Sequence, residues 1–241
     1  MIDDKVKEIR DFCLKNSKLV NIDKYSRYFK EGFDGYGIDQ KVFEKQRDNW
    51  IARWKNRMTL DKYLTLGDAL MQTGKFEEKS FAIAFVQSER ENYTAATFDR
   101  IGGWFDDGIS NWATVDVLCM LVLSSFLNDN VITLEKFKEW TQAKSEWQRR
   151  AVPVTLVQLL KKDLQPTDAL PMIEPLMLDE SPYVQKGIGT LLRGLWKKHP
   201  GEIEDFLHQW KDQSARLIFQ YATEKMDKEY RKKFRKVKQR K

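Results

Sequence analysis

Ser181-Pro182-Tyr183-Val184-Gln185-Lys186-Gly187-Ile188-Gly189-Thr190-Leu191-Leu192-Arg193-Gly194-Leu195-Trp196-Lys197 has the patterning of a half-buried α-helix. Val184, Ile188, Leu191 and Leu195 stand at i, i+4, i+7 and i+11, which places four apolar side chains on one helical face. Ser181 is an N-cap residue, and Pro182 occupies the first helical position, where a missing backbone N–H breaks no bond. Lys186, Thr190, Arg193 and Lys197 fall on the opposite, basic face. Gly187 and Gly189 lie inside the helix and read as places where a second helix comes close.

The same periodicity recurs along the chain. Phe43, Trp50, Ile51, Trp54 and Met58 form one apolar stripe, and Phe81, Ala82, Phe85 and Val86 form another. Ser145-Glu146-Trp147-Gln148 reads as a capping box, and Asn111 as the N-cap of a helix that starts at Trp112. Pro153 falls inside the helix that follows Ser145 and is expected to kink or divide it. Breaks are expected near Gly32 to Gly37, Gly74, Gly102 to Ser110, Asn128 to Asn130, Leu164 to Pro166 and Asp179 to Ser181. Strand signals are nearly absent. The expectation is an all-α chain of about a dozen helices, paired roughly every 35 to 45 residues as in a HEAT-like helical-repeat solenoid. Such a solenoid curves and offers a concave face to a long polymer; a globular helical bundle is the alternative.

Composition narrows the function classes. The chain has 241 residues, 41 % hydrophobic and 32 % charged, an ordinary balance for a soluble protein. Its longest apolar stretch, Val115 to Leu127, is too short to cross a bilayer, so no membrane partner is expected. Cys13 and Cys119 make no Cys-x-x-Cys pattern, and no leader peptide is evident. A reducing, cytoplasmic setting follows as the expectation. Net charge is +6, but it is unevenly placed. From Lys225 onward ten Lys and Arg residues face only Asp227 and Glu229, a local charge of +8, so the remainder of the chain is −2. The organisation expected is one HEAT-like domain over residues 1–224 and a basic C-terminal helix or tail over 225–241. Such a tail suits nucleic acid, through counterion release, or serves as a solubilising end.

Common catalytic signatures are missing. His199 and His208 sit in no metal-ligand pattern, there is no Gly-x-Ser-x-Gly elbow, and Gly32, Gly35 and Gly37 match no nucleotide-binding fingerprint. Neither a metal nor a cofactor is expected. The residues left to carry chemistry are Trp112 and Asp116, one turn apart in Asn111-Trp112-Ala113-Thr114-Val115-Asp116 and so on one helical face. A carboxylate there suits a reaction that develops positive charge, and the indole can cover the reacting group. A core tryptophan beside a solvated aspartate is the plainer reading of the same spacing. Arg149 and Arg150 follow the Ser145 helix start, and with the Lys186, Thr190 and Arg193 face they form the basic set.

Four stretches together resemble the DNA alkylation repair, AlkD-like, family of HEAT-repeat DNA glycosylases. They are Arg27-Tyr28 with Gly37-Ile38; Trp112-Ala113-Thr114-Val115-Asp116, similar to the family's Trp-Asp-x-Val-Asp element; Trp147-Gln148-Arg149-Arg150-Ala151; and Val184 through Arg193. The resemblance implies that Trp112 packs on the deoxyribose of a damaged nucleotide, that Asp116 stabilises positive charge there and helps position water, and that Arg150 anchors Asp116 and a phosphate. Tyr28, Lys186 and Arg193 would line a DNA-facing surface, with Arg149 and Thr190 beside them. It further implies action on double-stranded DNA, excising N3- or N7-alkylated purines without drawing the base into a pocket, unlike base-flipping enzymes; a monomer is the default expectation for a protein that wraps DNA. This sequence has Thr190 where catalytic relatives carry a second tryptophan, Ala113 for the first aspartate of the element, and Asp39 where a neutral polar residue is usual. The alternatives are a non-catalytic binder of distorted or branched DNA and a helical-repeat scaffold for an acidic protein partner.

Overall fold

A computed structural model describes residues 2–30 and 32–236, and those residues form helices and connecting loops with no strand among them. The chain divides into two compact units, Met1–Ser125 and Phe126–Lys241.

In the first unit α1 (Ile2–Lys15), α2 (Leu19–Ser26), α3 (Gln40–Trp54), α4 (Leu60–Thr73), α5 (Phe76–Gln87), α6 (Ala95–Gly102), α7 (Trp104–Asp107) and α8 (Trp112–Leu118) follow in order. One π turn, Cys119–Leu123, then leads into α9 (Ser124–Asn128), where the boundary between units falls. The centre of the unit is α5, buried from Glu77 to Val86 on every face and packed against α1, α3, α4 and α8. Both expected apolar stripes meet here. Phe81 stacks on Phe43 with centroids 4.0 Å apart, while Trp50 stacks on Trp54 and meets Phe81 edge-on. A helix buried all round must satisfy its polar residues internally, and this one does. Lys79 donates to the Gly108 carbonyl at 2.6 Å, with burial lowering the pKa of its ammonium. Glu78 accepts from the Tyr36 hydroxyl at 2.6 Å and from Arg10 at 3.0 Å.

In the second unit α10 (Leu134–Lys138), α11 (Glu146–Leu159), α12 (Pro166–Ile173), α13 (Pro182–Trp196), α14 (Pro200–Trp210) and α15 (Arg216–Ala222) follow in turn. Here α13 packs between α11 and α15. Its Val184, Ile188, Leu191 and Leu195 are fully buried, each contributing about 2 kcal/mol of apolar transfer. Ser181 caps it as expected, accepting from the N–H groups of Tyr183 and Val184. The Ser145 capping box does not form. Ser145 starts α11 without a side-chain cap, and the Glu146 carboxylate instead accepts the Ser181 hydroxyl from the start of α13. Pro153 does not divide α11, which runs through it.

The two α13 glycines meet neighbouring helices. A Cβ at Gly187 would lie 3.0 Å from Pro153 of α11, and one at Gly189 would lie 2.5 Å from Tyr221 Cβ and 2.6 Å from the Ile218 carbonyl of α15. Gly189→Ala is therefore expected to push α13 and α15 apart and destabilise the protein by about 2–3 kcal/mol, the usual cost of overpacking. A urea midpoint equal to that of the parent would show that this close approach yields more easily than the spacing implies.

Residues 225–236 pack onto this unit. Met226 and Phe234 are buried, and Phe234 lies against His208 with ring centroids 4.8 Å apart. Tyr230 donates to Glu204 at 2.6 Å, and Trp196 donates to the other oxygen of the same carboxylate at 2.9 Å. Burial works to raise the Glu204 carboxyl, but these two hydrogen bonds, with Lys233 and His208 nearby, outweigh it and hold it below its ordinary value. The last residues of the expected tail, Lys238, Arg240 and Lys241, lie outside the described residues.

Candidate active site

Asn111 is extended and its side-chain oxygen accepts from the Thr114 N–H at 2.9 Å, so α8 begins where the sequence places it. Trp112 opens the first turn and Asp116 follows four residues later, each half-buried. The π turn at Cys119–Leu123 follows at once. Such turns recur where a helix is re-aimed at a functional site.

Phe29 was not anticipated. Its ring stacks on the Trp112 indole, with centroids 5.2 Å apart and planes 18° from parallel. Phe33 packs against Phe29, Tyr25 and Phe76 in turn. One face of the indole is thereby covered and the ring orientation set by packing. The signal was a four-residue spacing of Tyr25, Phe29 and Phe33, which looks helical but runs into Gly32 and Gly35. Tyr28, beside Phe29, is 68 % exposed, placing its hydroxyl in reach of solvent or a bound polymer.

The segment bearing Phe29 and Tyr28 is held at its far end by α5. Glu77, buried, accepts from three consecutive backbone N–H groups: Tyr36 at 2.8 Å, Gly37 at 2.7 Å and Ile38 at 3.2 Å. From the other side Lys18 N–H and Ser17 Oγ donate to the Tyr36 carbonyl, and Asn21 donates to that of Gly37. Gly37 has φ of +69°, and a Cβ there would sit 2.6 Å from the Lys18 carbonyl, so conformation and space both require glycine. Asp39 next to this loop accepts from Lys18 and Asn21, which hold its carboxyl below the usual range. Its negative charge has a cationic partner at hand.

In the second unit the basic set is engaged in several ways. Arg149 donates to both Asp179 oxygens, at 2.6 and 3.3 Å, and to the carbonyls of Ala143 and Lys144, tying together the loops before α11 and α13. Arg150 is 8 % exposed and donates to the Tyr183 carbonyl at 2.6 Å. The Lys186 ammonium lies 5.7 Å from the Tyr183 ring centroid. Thr190, half-buried, turns its hydroxyl back onto the Lys186 carbonyl at 2.8 Å. Arg193 pairs with Glu224. Lys186, Thr190 and Arg193 share the face opposite the α13 core, as the spacing predicts, and all three are half-buried. No group of three His, Cys, Asp or Glu among the described residues could hold a metal ion.

An N-capped helix presenting Trp and Asp one turn apart, on an all-helical frame, is the setting in which the similarities to known proteins fall. The model of the DNA alkylation repair enzyme family matches residues 14–226, and the chain belongs to that family. A protein from Enterococcus faecalis, described as a predicted DNA alkylation repair enzyme, is similar in structure with a TM-score of 0.73 at 18 % identity, over 88 % of this chain and 98 % of that one. AlkD2 from Streptococcus mutans is similar with a TM-score of 0.58 at 19 % identity, over 86 % of this chain and 99 % of its own. At these identities the likeness establishes a shared helical fold. No curated protein matches the chain. Among the described residues no helix is long and apolar enough to cross a membrane.

Proposed function

We propose that this protein is a DNA glycosylase that hydrolyses the N-glycosidic bond of cationic alkylated purines, of the N3-methyladenine or N7-methylguanine type, without inserting the base into a pocket. The observation that carries the reading is the Trp112–Asp116 pair on a capped helix, with Phe29 fixing the indole. A purine alkylated at N3 or N7 already bears positive charge, so it departs as a neutral base with little need of a general acid. The sugar left behind approaches an oxocarbenium ion, as in glycoside hydrolysis. Asp116 stabilises that charge and orients the attacking water. The indole face away from Phe29 lies against the deoxyribose and adds about 1–2 kcal/mol toward a desolvated cationic centre. Tyr28, Arg149, Arg150, Lys186, Thr190 and Arg193 supply the DNA contacts. The protein acts as a monomer in the cytoplasm and uses no cofactor.

The test is release of methylated bases from alkylated duplex DNA by the wild-type protein. Release of N3-methyladenine or N7-methylguanine is expected, and its complete absence with DNA binding intact would overturn the reading. Phe29→Ala is expected to slow single-turnover release by up to about tenfold, because a stacked aromatic pair contributes roughly 0.5–1.5 kcal/mol. An unchanged rate would mean that Trp112 holds its orientation without Phe29.

A second reading is a non-catalytic binder of distorted or branched DNA. Thr190 favours it, since its hydroxyl is committed to the Lys186 carbonyl and offers no aromatic face to a sugar. That protein would bind junction DNA tightly, with strong salt dependence, and release no base.

A further inference from the structure

The second unit contains a groove of about 770 Å³ between the α14 terminus and α15 on one side and the segment Lys228–Lys236 on the other. Seven cationic side chains line it against one carboxylate, Glu229, and that carboxylate is already paired with Lys232. Among the described residues no carboxylate lies within ion-pair distance of Lys211, Arg216, Lys228 or Arg235. Elsewhere the unit pairs its arginines, as with Arg149–Asp179 and Arg193–Glu224. A concavity lined by unpaired cations of one sign is in a state of mutual repulsion that an anion relieves.

The groove is also built rather than fortuitous. Phe219 and Phe234 close its floor and are buried, so no aromatic face is offered for base stacking. Arg231 ties the walls together by donating to Thr223 of the facing side at 3.2 Å, and the Tyr230–Glu204 bond anchors the outer wall. Gln220 adds a neutral donor one turn after Arg216. Charge without stacking suits a phosphodiester backbone rather than bases. Lys228, Arg231 and Arg235 follow residue 226, where the family match ends, so this wall is an addition to the part of the chain the family model describes.

We propose that this groove grips the phosphate backbone of duplex DNA as a sequence-independent contact, extending the footprint beyond the residues that read the lesion. The proposal rests on DNA as the partner and not on base release. Its test is the salt dependence of binding to undamaged duplex, comparing the full wild-type chain with the fourfold variant K211Q/R216Q/K228Q/R235Q. Removing one cation from a phosphate lowers the slope of log K against log salt by about 0.9, so a decrease of about 2 to 4 is expected. Arg216→Gln alone should lower it by about 1. Base release measured at saturating protein should persist in the fourfold variant, which separates this groove from the glycosylase reading. An unchanged slope in both variants would overturn the proposal. So would one-to-one binding of tripolyphosphate to the wild type that the fourfold variant loses while the DNA slope stays the same, since the groove would then be a pocket for a small polyphosphate.

Discussion

Asp116→Asn is expected to slow release of methylated purines by about 10²- to 10³-fold while leaving duplex binding in place. The argument is electrostatic. In the ground state the positive charge resides on the alkylated base, and in the transition state it moves onto the sugar ring. A fixed carboxylate beside that ring interacts more strongly with the transition state than with the bound substrate, which is the only kind of interaction that raises the chemical rate. A preorganised charge in a partly dry site supplies about 3–4 kcal/mol, and each 1.36 kcal/mol is tenfold in rate. Asparagine keeps the size and most of the hydrogen-bonding shape but carries no charge. The helix start does not depend on Asp116, because the cap is the Asn111–Thr114 bond. Removing a negative charge near phosphates should, if anything, tighten binding at low salt. Single-turnover release and a salt titration of binding separate these effects. Release at the wild-type rate by the Asn variant would remove Asp116 from the mechanism, and joint loss of release and binding would make its role structural.

Helical periodicity was the legible part of this chain, and the reason is local. The α13 stripe, its Ser181 cap and the Asn111 cap depend on residues within one or two turns of each other, and the structure places them as the spacing predicts. The Ser145 box does not form, and Glu146 beside it accepts instead from Ser181, 35 residues away, a partner no local pattern announces. Phe29 was missed for a similar reason. A non-helical aromatic that stacks on a residue more than eighty positions later leaves no periodic trace. Glu77 was missed because a glutamate in the first turn of a helix ordinarily reads as solvated and favourable to the helix dipole. Its burial follows from α5 lying at the centre of the unit, which only the packing of four other helices determines. The C-terminal charge was legible as charge. That residues 226–234 dock through Tyr230 and Phe234, converting a basic run into one wall of a groove, depends on tertiary contacts with Glu204 and His208.

Glu77→Gln tests the other end of the segment that holds Phe29 against Trp112, and a loss of about 3 kcal/mol is expected. The wild-type carboxylate meets three backbone N–H donors, Tyr36 at one oxygen and Gly37 with Ile38 at the other. Hydrogen bonds to a charged acceptor contribute about 1.5–3 kcal/mol each, roughly twice the neutral kind. In the variant the amide oxygen can face Gly37 and Ile38, but the NH₂ group then meets the Tyr36 N–H, donor against donor. One buried N–H is left without an acceptor, at about 1–3 kcal/mol, and the remaining two bonds weaken. The loop is also closely packed at Gly37, where an added Cβ would lie 2.6 Å from the Lys18 carbonyl. Glu78→Gln is the matched comparison on the same helix. Its amide oxygen can still accept the Tyr36 hydroxyl, and the Arg10 side chain it loses, unlike the buried backbone N–H groups at Glu77, is partly exposed and can turn to water, so a smaller loss of about 1 kcal/mol is expected. Amide exchange at Tyr36, Gly37 and Ile38 should accelerate strongly in the Glu77 variant and little in the Glu78 one, because local opening and not only global unfolding is affected. If Phe29 is held through this loop, base release by the Glu77 variant should fall even at temperatures where the protein remains folded. Equal exchange and equal urea midpoints for the two variants would mean that the three-donor carboxylate is not what fixes the loop.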